Sequence, residues 1–194
     1  MSDSIPLYVS LIPMTRWESC LDEVKSNILT RNPVGTQSFS AYSRNASLVS
    51  DISDLIDASG CERLRFLTFK PYQYEFINRE HEEYGYKEKF IYTLIDENMD
   101  EIIADFDKFF DWCRNNSVEV VSLMNAVDDD SKVIQSIDNA VFTLEPNEDV
   151  NQNDNEYYSY LFVFSVLKTT RDLLIEAKKQ GHYLVCELWA GPVN

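Results

Sequence analysis

Apolar residues recur at helical spacing in several parts of the chain, and these parts are its predicted helices. The clearest pattern covers residues 98–114, where apolar residues fall on one face and aspartates on the opposite face. Ala46 to Asp57 repeats the pattern, and Gly60 follows it as a residue type that commonly ends helices. Three more helices are predicted over residues 15–28, over 128–137, and from Thr169 or Thr170 to Gly181.

Alternating or continuous apolar runs predict the strands. The run Tyr157 to Leu167 is apolar or aromatic on both faces, which is typical of a central strand. The continuous run Val118 to Met124 favours a buried strand, and the polar and aromatic stretch 72–90 favours a hairpin or a long loop. The remaining predicted strands are Ile5–Ile12, Leu64–Phe69, Phe90–Ile95, Val141–Leu144 and Tyr183–Trp189.

The order of these elements predicts an α/β or α+β fold, and the length of 194 residues favours a single domain over residues 1–194. We expect a mixed sheet with about four to five helices packed on it. Two stretches, Phe90–Met124 and Tyr157–Trp189, have the order of βαβ units with right-handed crossovers. Residues 145–156 contain five acidic residues and one apolar residue, Val150, and therefore predict a mobile acidic loop.

The net charge of the chain limits the classes of partner that it can bind. Seventeen basic and 33 acidic residues give a net charge of −16. Such a charge repels nucleic acid and anionic membranes and attracts cationic partners. Residues 1–97 hold 10 basic and 15 acidic residues, so they contribute −5 and the remaining residues contribute −11. The same acidity also has a simpler interpretation, which is that it keeps the protein soluble.

The cysteines indicate a reduced protein. They stand at positions 20, 61, 113 and 186, too far apart for a Cys-x-x-Cys metal or redox pattern. The first residues lack the features of a signal peptide, and no apolar run reaches the length of a membrane span. Each cysteine has apolar neighbours, as buried thiols do. We therefore expect a cytoplasmic location and no contact with a membrane.

Motifs for the common catalytic chemistries are absent from the sequence. The five glycines are far apart, so neither a P-loop nor a dinucleotide fingerprint is present. His81 has no second histidine at helical spacing, and His182 and Cys186 lack further ligands for a metal. No Gly-x-Ser-x-Gly nucleophile elbow occurs. We therefore predict no cofactor, no metal and no catalytic residues.

Three acidic elements favour binding to a basic protein. Carboxylates steer and hydrogen-bond Lys and Arg side chains, and adjacent tyrosines provide apolar anchors. Such a protein would inhibit or sequester its partner, either as an immunity protein against a nuclease-type toxin or as a nucleic-acid mimic. The predicted partner-binding residues are Asp100, Asp107, Asp111, Asp128, Asp129, Asp130, Glu145, Glu148, Asp149, Asp154, Glu156, Tyr157 and Tyr158.

Other interpretations of the same residues stay open. The aspartates of 98–114 also fit a solvated helix face, residues 128–130 fit a helix cap, and 145–156 fits a simple connector. An enzyme with an unrecognised site built from Cys, His and carboxylates is one alternative function. A structural or assembly subunit, in which the many aromatic residues form an interface, is another. The inhibitor hypothesis requires the three acidic elements to converge on one face.

Overall fold

The computed structural model describes residues 5–13, 37–43, 47–68, 75–81, 86–95, 97–124, 130–139 and 160–193. The predicted helix at 15–28, the strand at 141–144 and the loop at 145–156 lie outside these ranges. The described part combines helices with an antiparallel sheet, so the fold is of the α+β type.

Five strands form one sheet in the order β2-β1-β5-β4-β3. Every neighbouring pair is antiparallel, so the sheet is not the mixed sheet that the sequence predicts. The last strand, β5, lies in the middle, where it pairs with β1 on one side and β4 on the other. The strands are β1 Ile5–Pro13, β2 Gln37–Ser43, β3 Glu75–His81, β4 Tyr86–Ile95 and β5 His182–Val193.

The described residues form five α-helices and one 3₁₀ helix, which lies between α1 and α2. The α-helices are α1 Ser47–Ser59, α2 Met99–Asn115, α3 Ser117–Leu123, α4 Asp130–Asn139 and α5 Tyr160–Gln180. The 3₁₀ helix spans Glu62–Leu67.

Helix α5 joins the sheet to the other helices. It contacts β1 and β5, and its other sides contact α2 and α4. Phe164, Leu167 and Leu174 are among its fully buried side chains. The first part of α5, residues 160–167, is almost entirely apolar, and such a segment is stable in a helix only where protein covers it on several sides. The buried residues of α5, the strands and the other helices accordingly form one hydrophobic cluster.

Helix α2 has one buried face, which is rich in phenylalanine. Phe106 is fully buried, and its ring centroid lies 6.3 Å from that of Phe66 and 6.4 Å from that of Phe110. Phe110 also lies 6.4 Å from Phe164 of α5. The amphipathic pattern of 98–114 therefore predicts this helix correctly, because only one of its faces meets the core.

Left-handed residues lie at three ends of the described helices. Gly60 after α1 and Gly181 after α5 have φ angles of 67° and 66°, which glycine adopts without the steric cost of a Cβ. Both predicted helix ends are therefore confirmed. Asn98, which precedes α2, has a φ of 57°, a conformation that Asn tolerates better than most residues.

Three predicted strands are wrong. Residues 62–67 form the 3₁₀ helix, 117–123 form α3, and 160–167 form the first part of α5. Neither βαβ unit forms, because one predicted strand of each is helical: residues 117–123 form α3 and residues 160–167 belong to α5. For α5 the reason is burial: the helix is covered on several sides, so its first apolar residues do not show the one-sided helical pattern. The runs at 64–69 and 118–124 are short, and a short apolar run is compatible with both a strand and a helix. The predictions of β1, of the β3–β4 hairpin, and of helices at 46–57, 98–114 and 128–137 are confirmed.

Candidate functional site

Three aspartates of α2 form a row along its solvent-exposed side. Asp100, Asp107 and Asp111 lie within about 40° of one another around the helix axis and span about 16 Å along it. Their side chains are 73%, 56% and 74% exposed. We call these three residues the aspartate row. Because α2 packs against the core through its phenylalanine face, the backbone positions of these three aspartates are held rigidly.

Each member of the aspartate row contacts a cation of the same chain. Lys178 of α5 donates to Asp100, and Nε of Arg171, also on α5, donates to Oδ1 of Asp107 at 2.8 Å. Nη1 of Arg114, one turn along α2, donates to Oδ1 of Asp111 at 3.3 Å. The row therefore also connects α2 to α5, and an exposed ion pair of this kind contributes about 0–1 kcal/mol.

Two further carboxylates leave this surface acidic. Asp172 accepts a hydrogen bond from Arg171 at 2.9 Å, and Asp138 of α4 accepts one from Arg114 at 3.1 Å. Five carboxylates and three cations thus give the cluster a net charge of −2. The contacts given for the three carboxylates of the aspartate row use Oδ1. Within the described part of the chain, Oδ2 of each of these carboxylates can therefore accept a further donor.

The other predicted partner-binding residues are mostly outside the described part of the chain. Asp130 is the first residue of α4. Asp128 and Asp129, the acidic residues of 145–156, and Tyr157 and Tyr158 all lie in undescribed ranges. Their convergence with the aspartate row stays a prediction.

A second group of ion pairs lies around the 3₁₀ helix, and the sequence does not predict it. Arg65 forms an ion pair with Asp57 at 2.8 Å and donates hydrogen bonds to Glu62. The hydrogen bonds from Arg65 hold the pKa of Glu62 below its ordinary value. Arg63 pairs with Asp105 of α2 at 3.5 Å. Each of the three acids of this group pairs with one of the two arginines, and these pairs connect the 3₁₀ helix to α1 and α2.

Thiol chemistry is disfavoured at the described cysteines. Cys61, Cys113 and Cys186 are buried and free, and burial raises the pKa of each thiol. A thiol with a raised pKa stays protonated at neutral pH, and it is the thiolate that acts as a nucleophile or metal ligand. These three cysteines therefore contribute to the packing of the hydrophobic core.

His182 does not form a dyad with Cys186. Both lie on β5, and four residues of strand separate them by about 13 Å between Cα atoms. Nδ1 of His182 lies 3.0 Å from the carbonyl oxygen of Gln180, whereas Nε2 is buried and has no hydrogen-bond partner among the described residues. Among the described residues, no three His, Cys, Asp or Glu side chains are grouped as a metal site requires. His81 is on β3.

Two further comparisons give no additional evidence about the site: a search of the described helices for a membrane span, and a search for similar proteins. None of the described helices has both the length and the apolar character needed to cross a membrane. No family model matches the chain, and no curated protein or solved structure matches it.

Proposed function

We propose that the protein binds a basic protein partner and occludes the cationic surface of that partner. The observation that carries the proposal is the aspartate row, three exposed carboxylates on one side of a rigid helix. The net charge of −16 supports it, because this charge accelerates encounter with a cationic partner and disfavours nucleic acid and anionic membranes.

The contacts within the chain prepare the aspartate row for binding. Lys178, Arg171 and Arg114 hold Oδ1 of the three carboxylates, so the side chains are already ordered before a partner arrives. Ordering in advance lowers the entropy cost of association. Lys or Arg side chains of the partner then bind Oδ2 of each carboxylate, without displacing the cations of this chain.

Two kinds of basic partner fit this chemistry. One is a nuclease-type toxin, for which the protein would act as an immunity protein in the cytoplasm. The other is a nucleic-acid-binding protein, whose phosphate sites would be occupied by carboxylates. In both cases the acidic residues of 128–158 and the tyrosine pair Tyr157 and Tyr158 would extend the contact beyond α2.

The test begins with affinity capture of the partner and its identification by mass spectrometry. Calorimetry then measures the affinity of the purified complex at low and at high salt. We expect at least tenfold weaker binding at high salt, because salt screens attraction between exposed charges. A complex whose affinity does not change with salt contradicts the proposed function.

A pair of triple variants tests the position of the contact. D100N/D107N/D111N removes the charge of the aspartate row, and we expect it to weaken binding by at least about tenfold. The matched control neutralises Asp54, Glu97 and Glu119, which are also exposed. Both variants have a net charge of −13. Equal losses of affinity in the two variants would show that total charge, and not the row, determines binding.

A further inference from the structure

The two outer edges of the sheet differ in charge. Strand β3, at one edge, contains Glu75, Arg79, Glu80 and His81 among its seven residues. Strand β2, at the other edge, reads Gln-Ser-Phe-Ser-Ala-Tyr-Ser and contains neither a charged residue nor a proline. Natural proteins use charges, prolines and bulges to prevent an edge strand from pairing with another chain. The edge at β3 has this protection and the edge at β2 has none of it.

The outer side of β2 is open within the described part of the chain. Its inner side pairs with β1 over seven residues, from Gln37 opposite Leu11 to Ser43 opposite Ile5. No described strand pairs with its outer side. The outward backbone N–H and C=O groups of β2 are therefore a template for a further strand.

Charge indicates which strand fits there. Strand β1, next to β2, also contains no charged residue. In a chain with a net charge of −16, two copies repel each other over most of their surfaces. Because neither β1 nor β2 contains a charged residue, two copies that meet along these strands bring none of the strands' own side-chain charges together.

We propose that the outer edge of β2 pairs in antiparallel orientation with β2 of a second copy, so that the two five-stranded sheets become one ten-stranded sheet. A twofold axis at Ser40 places Ser40 of one copy opposite Ser40 of the other. The same axis places Phe39 opposite Ala41 and Ser38 opposite Tyr42. Each aromatic residue thus meets a small residue, and no like charges face each other. The proposal is independent of the basic partner.

The dependence on salt distinguishes this dimer from the proposed complex with a basic partner. Between about 0.1 and about 1 M salt the Debye length falls from about 10 to about 3 Å, so repulsion between two acidic copies weakens. We expect sedimentation velocity to show a larger dimer fraction at higher salt and at higher protein concentration. Binding of a basic partner should change in the opposite direction.

One substitution tests the place of contact. Ser40→Lys puts two positive charges directly opposite each other across the axis, and we expect the dimer association constant to fall at least about fourfold. The control is Ser122→Lys, the same substitution at an exposed position of α3. It changes the net charge equally, so an effect of total charge appears in both variants, and only Ser40→Lys should weaken the dimer. Thermal unfolding of both variants checks that the fold is retained.

A cross-link tests the register. Antiparallel strands bring opposite Cα atoms to about 4.5–5.5 Å, within the range that a disulfide bridges. In a Cys20→Ser background, Ser40→Cys should form a covalent dimer under mild oxidation with diamide, whereas Ser122→Cys should not. A chain that stays monomeric at all salt and protein concentrations overturns the proposal. So does a dimer that neither Ser40→Lys nor Ser40→Cys affects.

Discussion

The buried thiols make the stability of the protein depend on alkaline pH. Cys113 and Cys186 are fully buried, and burial raises the pKa of each thiol above its ordinary value of 9.0. In the unfolded chain both thiols ionise near that ordinary value. Because the folded pKa is the higher one, the unfolded state releases protons first as the pH rises. The contribution of the thiols to stability is therefore complete below the unfolded pKa and is lost above it.

The size of the loss follows from this linkage. A thiol that ionises only in the unfolded state costs about 1.4 kcal/mol for each pH unit above its unfolded pKa. Integrated from about pH 8 to about pH 10, with the transition centred at the ordinary pKa, the cost is about 1.4 kcal/mol for each thiol. Cys113 and Cys186 together should lower the free energy of unfolding by about 3 kcal/mol, a large part of the 5–15 kcal/mol typical of natural proteins.

The assay is urea unfolding followed by circular dichroism at both pH values, with a reductant present throughout. Cys186→Ala removes one titrating group, so its loss of stability between the two pH values should be about 1.4 kcal/mol smaller than that of the wild type. Tyrosines ionise in both proteins and cancel in the comparison. Val185→Ala is the matched control, because it removes a buried neighbour that does not titrate.

Two results would refute this reasoning. If Cys186→Ala loses as much stability with pH as the wild type, the thiol ionises equally in the folded and unfolded states and is not buried. If Val185→Ala also reduces the pH dependence, the effect comes from a less stable core and not from the thiol.

Two further substitutions test the packing and the helix ends. Phe106→Ala should lower the free energy of unfolding by about 3–5 kcal/mol in urea unfolding, because it leaves a cavity between two aromatic neighbours. Val118→Ala is its control and should cost under about 0.5 kcal/mol, since Val118 is 69% exposed. Gly181→Ala should cost about 1–2 kcal/mol in the same assay. A Cβ there would meet no atom within 4 Å, so this cost comes from the left-handed backbone alone, and an unchanged midpoint would contradict the assigned φ.

Elements with a single buried face are predictable from the sequence, and elements buried on several sides are not. In α2, apolar and acidic residues alternate with the helical period because one face meets the core and the other meets water. Residues 160–167 lack this contrast, because the sheet lies on one side of α5 and α2 on another. A short apolar run of this kind is compatible with both a strand and a helix until its neighbours are known.

The candidate site, like the fold, was only partly predictable from the sequence. Helical spacing alone places Asp100, Asp107 and Asp111 on the exposed side of α2, as the structure shows. Their partners Arg171 and Lys178 follow 64 and 78 residues later, and no local pattern connects positions so far apart. The sequence therefore predicts an acidic row, but not that cations of the same chain already hold it in place.

The position of β5 at the centre of the sheet has a consequence for biosynthesis. The ribosome translates β5 after every other described element, yet β1 and β4 are joined only through it. A nascent chain can form the β1–β2 and β3–β4 pairs early, but each pair then exposes an inner edge that is free to associate with other chains. The sheet is therefore completed only after translation of its central strand, and until then both inner edges are exposed to association with other chains.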